Sequence, residues 1–363
     1  MKPFKTQEIN VARITMVLGS ALVFTLIWLC AAREMTPVHA TKNNHENSKM
    51  AVDSIDNSAY TIQVATDANY WPFEYYSGTQ IIGHDIDLMD AIAAEINATV
   101  IYSDVAWSNI FTGLIDGDYD AIISSVSIIP EREEFLDFTL PYMTFDFGDT
   151  SDSIAIAVQQ GNHNLRRQFN EALWQLREDG TIASIITKIS LDFPDINILM
   201  PEWPIILTDT ETTLTYPSSD GTYTTSISVP SEIVSDSTVL AYSIVDIPTV
   251  PSNFKFVGQA FNLDAYQEGA FVEGFVFKEP ITLTLYYNED EIDNNDERWL
   301  ILNTWNPDHN QWVDAATTCE PASVYERIPE EDQLGIAICH LSEFALLAQT
   351  EFYLQLPFIL RMP

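Results

Sequence analysis

The feature that most limits what this chain can fold into is a change of texture near Pro201. From Tyr60 to about Pro194 the apolar residues switch repeatedly between strand and helix periods. Residues 60–66 alternate at period two. Ile86, Met89, Ile92, Ala93 and Ile96 recur at helical spacing, with Asp85 placed to cap the start. Residues 100–102 read as a strand, and Ile110, Phe111, Leu114 and Ile115 predict a short helix ended by Gly117. The apolar runs 121–123 and 154–158 have the character of buried strands, and Leu165, Phe169, Leu173 and Leu176 mark a long amphipathic helix closed by Gly180. Such alternation predicts an α/β domain on a mainly parallel sheet, over residues 60–196.

Beyond Pro201 helical periodicity stops. Thr, Ser, Val and Tyr dominate, and turn residues recur at 219–221, 288–290 and 306–308. Residues 239–244, 254–257, 281–287 and 299–302 read as strands, so 201–350 is expected to be an all-β sandwich-like module. The apolar stretch 344–363 is interrupted by Gln349, Glu351, Gln355 and Pro357. It is too broken for a membrane span, and its last part, 351–363, is expected to be an apolar tail packed on the β module.

The N-terminus has the pattern of an export segment. Lys2, Lys5 and Arg13 precede an uncharged run from Ile14 to Ala32, and Val38-His39-Ala40 offers small residues for cleavage. Residues 1–40 are therefore either a signal peptide or an N-terminal anchor, and both place the remainder outside the cytoplasm. Residues 41–59 are polar and aperiodic, a linker. Cys30 lies in the first apolar run, leaving Cys319 and Cys339 as two separate thiols or as one disulfide, which an oxidising compartment favours. We expect the disulfide.

Charge excludes one class of partner. With 16 Lys+Arg against 53 Asp+Glu the net charge is −37, so phosphate backbones would be repelled and nucleic acid is not expected as a partner. Between Lys49 and Arg166 the only Lys or Arg is Arg132, among nineteen Asp and Glu. It follows Ser124-Ser125-Val126-Ser127, at the carboxyl end of the run 121–123, where open α/β sheets bind ligands. Pro130 suits a first helical position, adding free backbone N–H groups. Hydroxyls, amides and a forked guanidinium together suit a carboxylate. The alternative is a surface pairing of Arg132 with Glu131, Glu133 or Glu134.

The segment DAIISSVSIIPEREEFLDFTLPY (120–142) resembles the extracytoplasmic amino-acid-binding proteins of ABC transporters, most nearly the receptors for lysine, arginine, ornithine and histidine. The pieces ATDANYWPF (65–73), IGHDIDL (82–88) and NEALWQLREDG (170–180) are similar to the same family, which the chain resembles over roughly 60–190. The resemblance implies one lobe of a periplasmic-binding-protein fold. It implies Arg132 as the clamp on an amino acid's α-carboxylate, with Ser124, Ser125 and Ser127 giving hydroxyl and backbone contacts. Tyr70 and Trp107 match aromatics that flank the ligand side chain. Asp67 matches the acid that meets a cationic side-chain tip, with loop capping as its other reading. The implied partners are a free amino acid, basic or polar, and a membrane permease.

The chain departs from the family in three places. Ile129 stands where threonine is usual and cannot cap a helix, a loss of about 0.5–2 kcal/mol. His84 replaces an aromatic and is read as structural. Most of the second lobe is missing between 142 and 154, which predicts an open half-site with weak affinity or none. Residues 313–347 resemble, less specifically, the closing strands of β-sandwich modules on exported proteins. The acidic loop 288–297 lacks the spacing and glycine of an EF-hand and reads as solvated, so no metal or cofactor is expected. With no paired acid and base or activated nucleophile near Arg132, an enzyme is not expected. The rival reading is a non-transport exported surface or interaction protein that carries a remnant lobe.

Overall fold

The computed structural model describes residues 60–218, 222–245, 248–292 and 297–350. The export segment 1–40, the linker 41–59, the turn 219–221 and the tail 351–363 lie outside the described residues, as does 293–296 of the acidic loop.

The first module runs β1 (Tyr60–Thr66), β2 (Asn69–Tyr70), β3 (Glu74–Ser77), β4 (Gln80–Ile82), α1 (His84–Glu95), β5 (Ala98–Asp104), α2 (Trp107–Asp116) and β6 (Ala121–Ser127). It continues through α3 (Pro130–Glu133), β7 (Leu136–Phe138), β8 (Met143–Asp146), β9 (Ser151–Gln159), α4 (His163–Glu178), α5 (Thr181–Asp192) and β10 (Asn197–Leu199). Its main sheet has the order β10-β8-β9-β6-β1-β5, with β7 also on β9. Period-two alternation divides the side chains between two faces. Val64 and Ile123 meet α1, α4 and α5 through Met89, Phe169 and Ile189, whereas Ala65 and Ile122 meet Ile110 and Leu114 of α2 on the other side.

The expectation of a mainly parallel sheet is corrected. β1 is parallel to β5 and β6, but every other pairing in the sheet is antiparallel. The helices α1 and α2 supply the crossovers that parallel neighbours need, whereas the four-residue connection from β8 to β9 reverses the chain, so β9 runs against β6, β7 and β8. The expected cap at Asp85 is also corrected: α1 begins at His84, and the N-cap is Gly83. Gly83 has φ +141, and a Cβ there would lie 2.1 Å from the Phe73 carbonyl oxygen, so the small sheet β2-β3-β4 closes on α1 only through glycine. Gly117 ends α2 in the left-handed conformation, as its position suggested.

The second module is a two-sheet sandwich. One sheet orders Ile205–Ile206, Thr238–Ile244, Phe254–Gln267, Glu343–Gln349, Leu300–Asn306 and Gln311–Asp314. The other orders Thr212–Pro217, Thr224–Val229, Val276–Tyr286, Gln333–His340 and Glu326–Ile328. Their inner faces share a core that includes Leu263, Leu302 and Phe344 from one sheet and Ile227, Leu283 and Ile336 from the other. Cys319 and Cys339 are joined at 2.07 Å, with Cα atoms 5.6 Å apart, tying the turn Ala315–Thr318 to the strand Gln333–His340.

Lobe and sandwich belong to one compact unit. Val239, Ala241 and Tyr266 of the sandwich join the apolar core of the lobe. Arg166 and Arg167 on α4 both reach Asp264, at 2.8 and 2.7 Å, and Asn170 donates to the Tyr266 hydroxyl at 3.0 Å.

Candidate functional site

Because β1 and β6 run the same way, the loops that follow them open on one edge of the sheet. That edge gathers the residues singled out in the sequence. The Asp67 amide donates to Ser124 Oγ at 3.1 Å, and its carboxylate accepts from the Trp107 amide at 2.9 Å and from Asn69 Nδ2 at 3.1 Å. Asp67 therefore caps α2 from a distant loop, satisfying one of the amides that a helix start leaves open. Trp107, the first residue of α2, packs edge-on against Phe111 with centroids 5.0 Å apart.

Arg132 lies over both rings, 5.4 Å from Trp107 and 5.1 Å from Phe111, a cation–π arrangement. Its Nη1 donates to the Ser127 carbonyl at 2.7 Å. It takes part in none of the ion pairs among the described residues. Burial lowers the guanidinium pKa to about 10, against the opposing pull of Asp152 and Glu131. Pro130 is the first residue of α3, and Ile129 at the N-cap makes no side-chain cap bond. The turn is only four residues long, and the Arg132 and Glu133 amides both bond back to the Ile129 carbonyl.

The serines are less open than the run suggested. Ser124 is buried, its hydroxyl donating to Glu74 Oε1 at 2.5 Å while accepting from Asp67. Ser125 has φ +45, and its amide and hydroxyl both donate to Asp85 Oδ2, at 2.5 and 3.1 Å. Ser127 faces Arg132 through its carbonyl. Tyr70 is 37% exposed and stacks on Phe73 with centroids 5.1 Å apart. Its hydroxyl pKa is pushed up to about 12 by burial and by the charges of Glu74 and Asp85. His84 bridges α1 to α5 through Asp192, at 3.3 Å, a structural contact.

Two residues of this region, Glu74 and Tyr142, were not singled out in the sequence, and a third, Asp85, was read there only as a helix cap. Glu74 and Asp85 are 0% and 1% exposed. The Tyr142 hydroxyl donates to Asp85 Oδ1 at 2.9 Å. Burial, and then the charge of Asp85, hold the Glu74 carboxyl well above its usual range. Burial also raises Asp85, while its bonds from Tyr142 and Ser125 pull the other way. Asp85 did carry a signal. It sits four residues before Met89 and seven before Ile92, on the apolar face of α1.

After Tyr142, whose amide donates to the Ile154 carbonyl at 2.9 Å, the chain forms the hairpin β8–β9 and returns within the lobe. Among the described residues there is no group of three or more His, Cys, Asp or Glu placed to hold a metal ion, and no helix is long and apolar enough to cross a membrane.

Residues 62–191 match the model of the bacterial extracellular solute-binding proteins, family 3. A putative ABC transporter arginine-binding protein 2 of Escherichia coli (strain K12) is 40% identical over 86 residues, 23% of this chain and 35% of that protein. A probable histidine-binding protein of Campylobacter jejuni is 29% identical over 121 residues, 33% of this chain and 43% of that protein. A cyclohexadienyl dehydratase of Pseudomonas aeruginosa is 29% identical over 83 residues, 22% of this chain and 31% of that protein. The chain thus spans well under half the length of these curated relatives. Among solved structures, the arginine-bound form of domain 1 from TmArgBP is 29% identical, with a TM-score of 0.31, over 35% of this chain and 100% of that one. Over residues 62–191, then, this chain is similar to the bacterial extracellular solute-binding proteins, family 3.

Proposed function

We propose that the lobe binds a free amino acid outside the cytoplasm, with Arg132 and the 124–127 turn holding its α-carboxylate. The observation that carries this reading is the guanidinium itself, poised over Trp107 and Phe111 without a carboxylate partner among the ion pairs of the described residues. A desolvated, forked cation beside aromatic faces suits an incoming carboxylate. Tyr70 and Trp107 flank the ligand side chain. The named ligands of the relatives, arginine and histidine, favour a basic or polar amino acid. In this reading the ligand is passed to an ABC permease, as the family implies, and the export segment delivers the chain to that side of the membrane.

With the hairpin β8–β9 where a second lobe would begin, the ligand stays open to water on one side, so affinity is weak. Calorimetry on the full chain with arginine, histidine, glutamine and glutamate tests the reading. We expect dissociation constants weaker than about 1 μM, a preference for the first three, and loss of binding in Arg132→Ala. Sub-micromolar binding would overturn the open-site reading, and silence with all four would overturn amino-acid binding.

A second reading, an exported interaction protein with a remnant lobe, is favoured by the inward commitment of Ser124, Ser125 and Asp67. It predicts that silence, together with an unchanged melting temperature in the presence of any amino acid.

A further inference from the structure

Beneath the serine turn lies a cluster of acids with no cation to balance it. Glu74 on β3 and Asp85 on α1 are both fully buried, and neither forms an ion pair among those of the described residues. The groups that face them are Asp67 after β1, Tyr70 on β2, Tyr102 on β5, Ser124 and Ser125 on β6, and Tyr142 ahead of β8. Every one of these is acidic or a hydroxyl.

The hydrogen bonds assign the donors. Both oxygens of Asp85 accept: Oδ2 from the Ser125 amide and hydroxyl, Oδ1 from the Tyr142 hydroxyl. Asp85 is therefore the ionised member. Glu74 Oε1 accepts from Ser124, while Glu74 Oε2 is buried with no hydrogen-bond donor, and the Asp85 carboxyl lies within interaction reach of the Glu74 carboxyl. Two carboxylates are both acceptors, so a bond between them requires a proton on one. Of the four carboxyl oxygens, Glu74 Oε2 is the one that accepts no hydrogen bond, and the proton is placed there.

We propose that Glu74 and Asp85 share one proton inside the folded lobe, and that this proton locks the Ser124–Ser125 turn in the shape the site requires. Ser125 sits at positive φ, a conformation that costs a non-glycine residue free energy, and the two bonds it donates to Asp85 hold it there. When the proton leaves to solvent, two negative charges face each other in a dry pocket, and their repulsion pushes on Asp85, the anchor of the turn. The consequence for ligand binding rests on the function proposed above; the shared proton does not.

The sign of the pH dependence follows from linkage. An acid whose folded pKa is raised above the ordinary 4.5 stabilises the fold fully below that value, and the stabilisation is lost as pH rises through the raised value. In Glu74→Gln the side-chain carbonyl still accepts from Ser124 and the amide donates to Asp85, so the variant keeps the bonds without the titration. Unfolding constants of the full chain, wild type and Glu74→Gln, are compared from pH 5 to 9. The wild-type constant should rise relative to the variant by about tenfold per pH unit until the pair has lost its proton. Parallel profiles would overturn the proposal.

Should Glu74→Gln fail to fold, infrared spectroscopy of wild-type protein with labelled glutamate decides the matter. A buried protonated-carboxyl band at neutral pH supports the shared proton, and its absence overturns it. Calorimetry at several pH values separates the two claims. If the stability difference is present but no amino acid binds at any pH, the proposed function fails and the shared proton stands. Arginine binding that weakens at alkaline pH in wild type but not in the variant supports control of the site. Binding with the same pH profile in both overturns that control.

Discussion

Asp67 illustrates how one carboxylate can serve structure where a ligand role was equally readable. Its oxygens accept from the Trp107 amide and from Asn69, so Asp67→Ala uncaps α2 and should cost about 0.5–2 kcal/mol in denaturant unfolding, with Asp67→Asn closer to wild type. If the side chain instead served a cationic ligand tip, Asp67→Ala would leave stability unchanged and shift preference from arginine towards glutamine. At this scale the sequence was informative in parts. Arg132 stood out because it was isolated in charge, and Trp107 and Ser124 to Ser127 followed from the family pattern. Asp85 was legible as an acid on an apolar helical face and was read as a cap, because a capping residue and a first-turn residue are adjacent in sequence. Glu74 carried no signal, since nothing local says that its neighbour in space will be another acid.

At the scale of elements, the periodic segments were readable and the short ones were not. Strands β1 and β6 and helices α1, α2 and α4 follow directly from their apolar spacing. Helix α5 was missed although Ile182, Ile185, Ile186 and Ile189 line one face, because a run of β-branched residues argues locally for strand. Strands of two to four residues, such as β2, β7 and β10, are fixed by partners far along the chain and leave no period to read. The junction of β2-β3-β4 with α1 depends on Gly83. Gly83→Ala would drive a methyl into the Phe73 carbonyl at a φ that side chains avoid. We expect a loss of at least about 2 kcal/mol, read as a lower midpoint in thermal or urea unfolding. The substitution Gly148→Ala is the control, because a Cβ there meets nothing within 4 Å, although its φ of +88 still costs something.

The joining of the two modules belongs to the whole molecule, and it was the least legible feature of all. Nothing near Arg166 in sequence announces that its counter-charge is Asp264, 98 residues later. Both side chains are 1% exposed, and Asp264 also holds Arg167 through two hydrogen bonds of 3.2 and 2.7 Å. Burial alone would raise the Asp264 carboxyl, but Arg166 and Arg167 overcome it and hold the pKa below the ordinary value of 3.8. An acid of this kind stabilises the fold above its ordinary pKa and loses that contribution as pH falls through the depressed one. Removing the charge at neutral pH strands Arg166 in the interface, with Asp137 3.6 Å away as its other acid. Asp264→Asn should therefore cost about 3–5 kcal/mol, the penalty for breaking a buried pair from one side. In calorimetric melting the wild-type lobe and sandwich should unfold as one cooperative transition, because apolar core and ion pairs are shared across the junction. The variant should split into two transitions, and the split should be insensitive to pH between 5 and 8, where Asp264 is ionised in wild type. A single transition with an unchanged midpoint would mean that Asp264 does not couple the modules. Its effect is separable from that of the Glu74–Asp85 pair, whose contribution declines with rising pH whereas that of Asp264 declines only in acid.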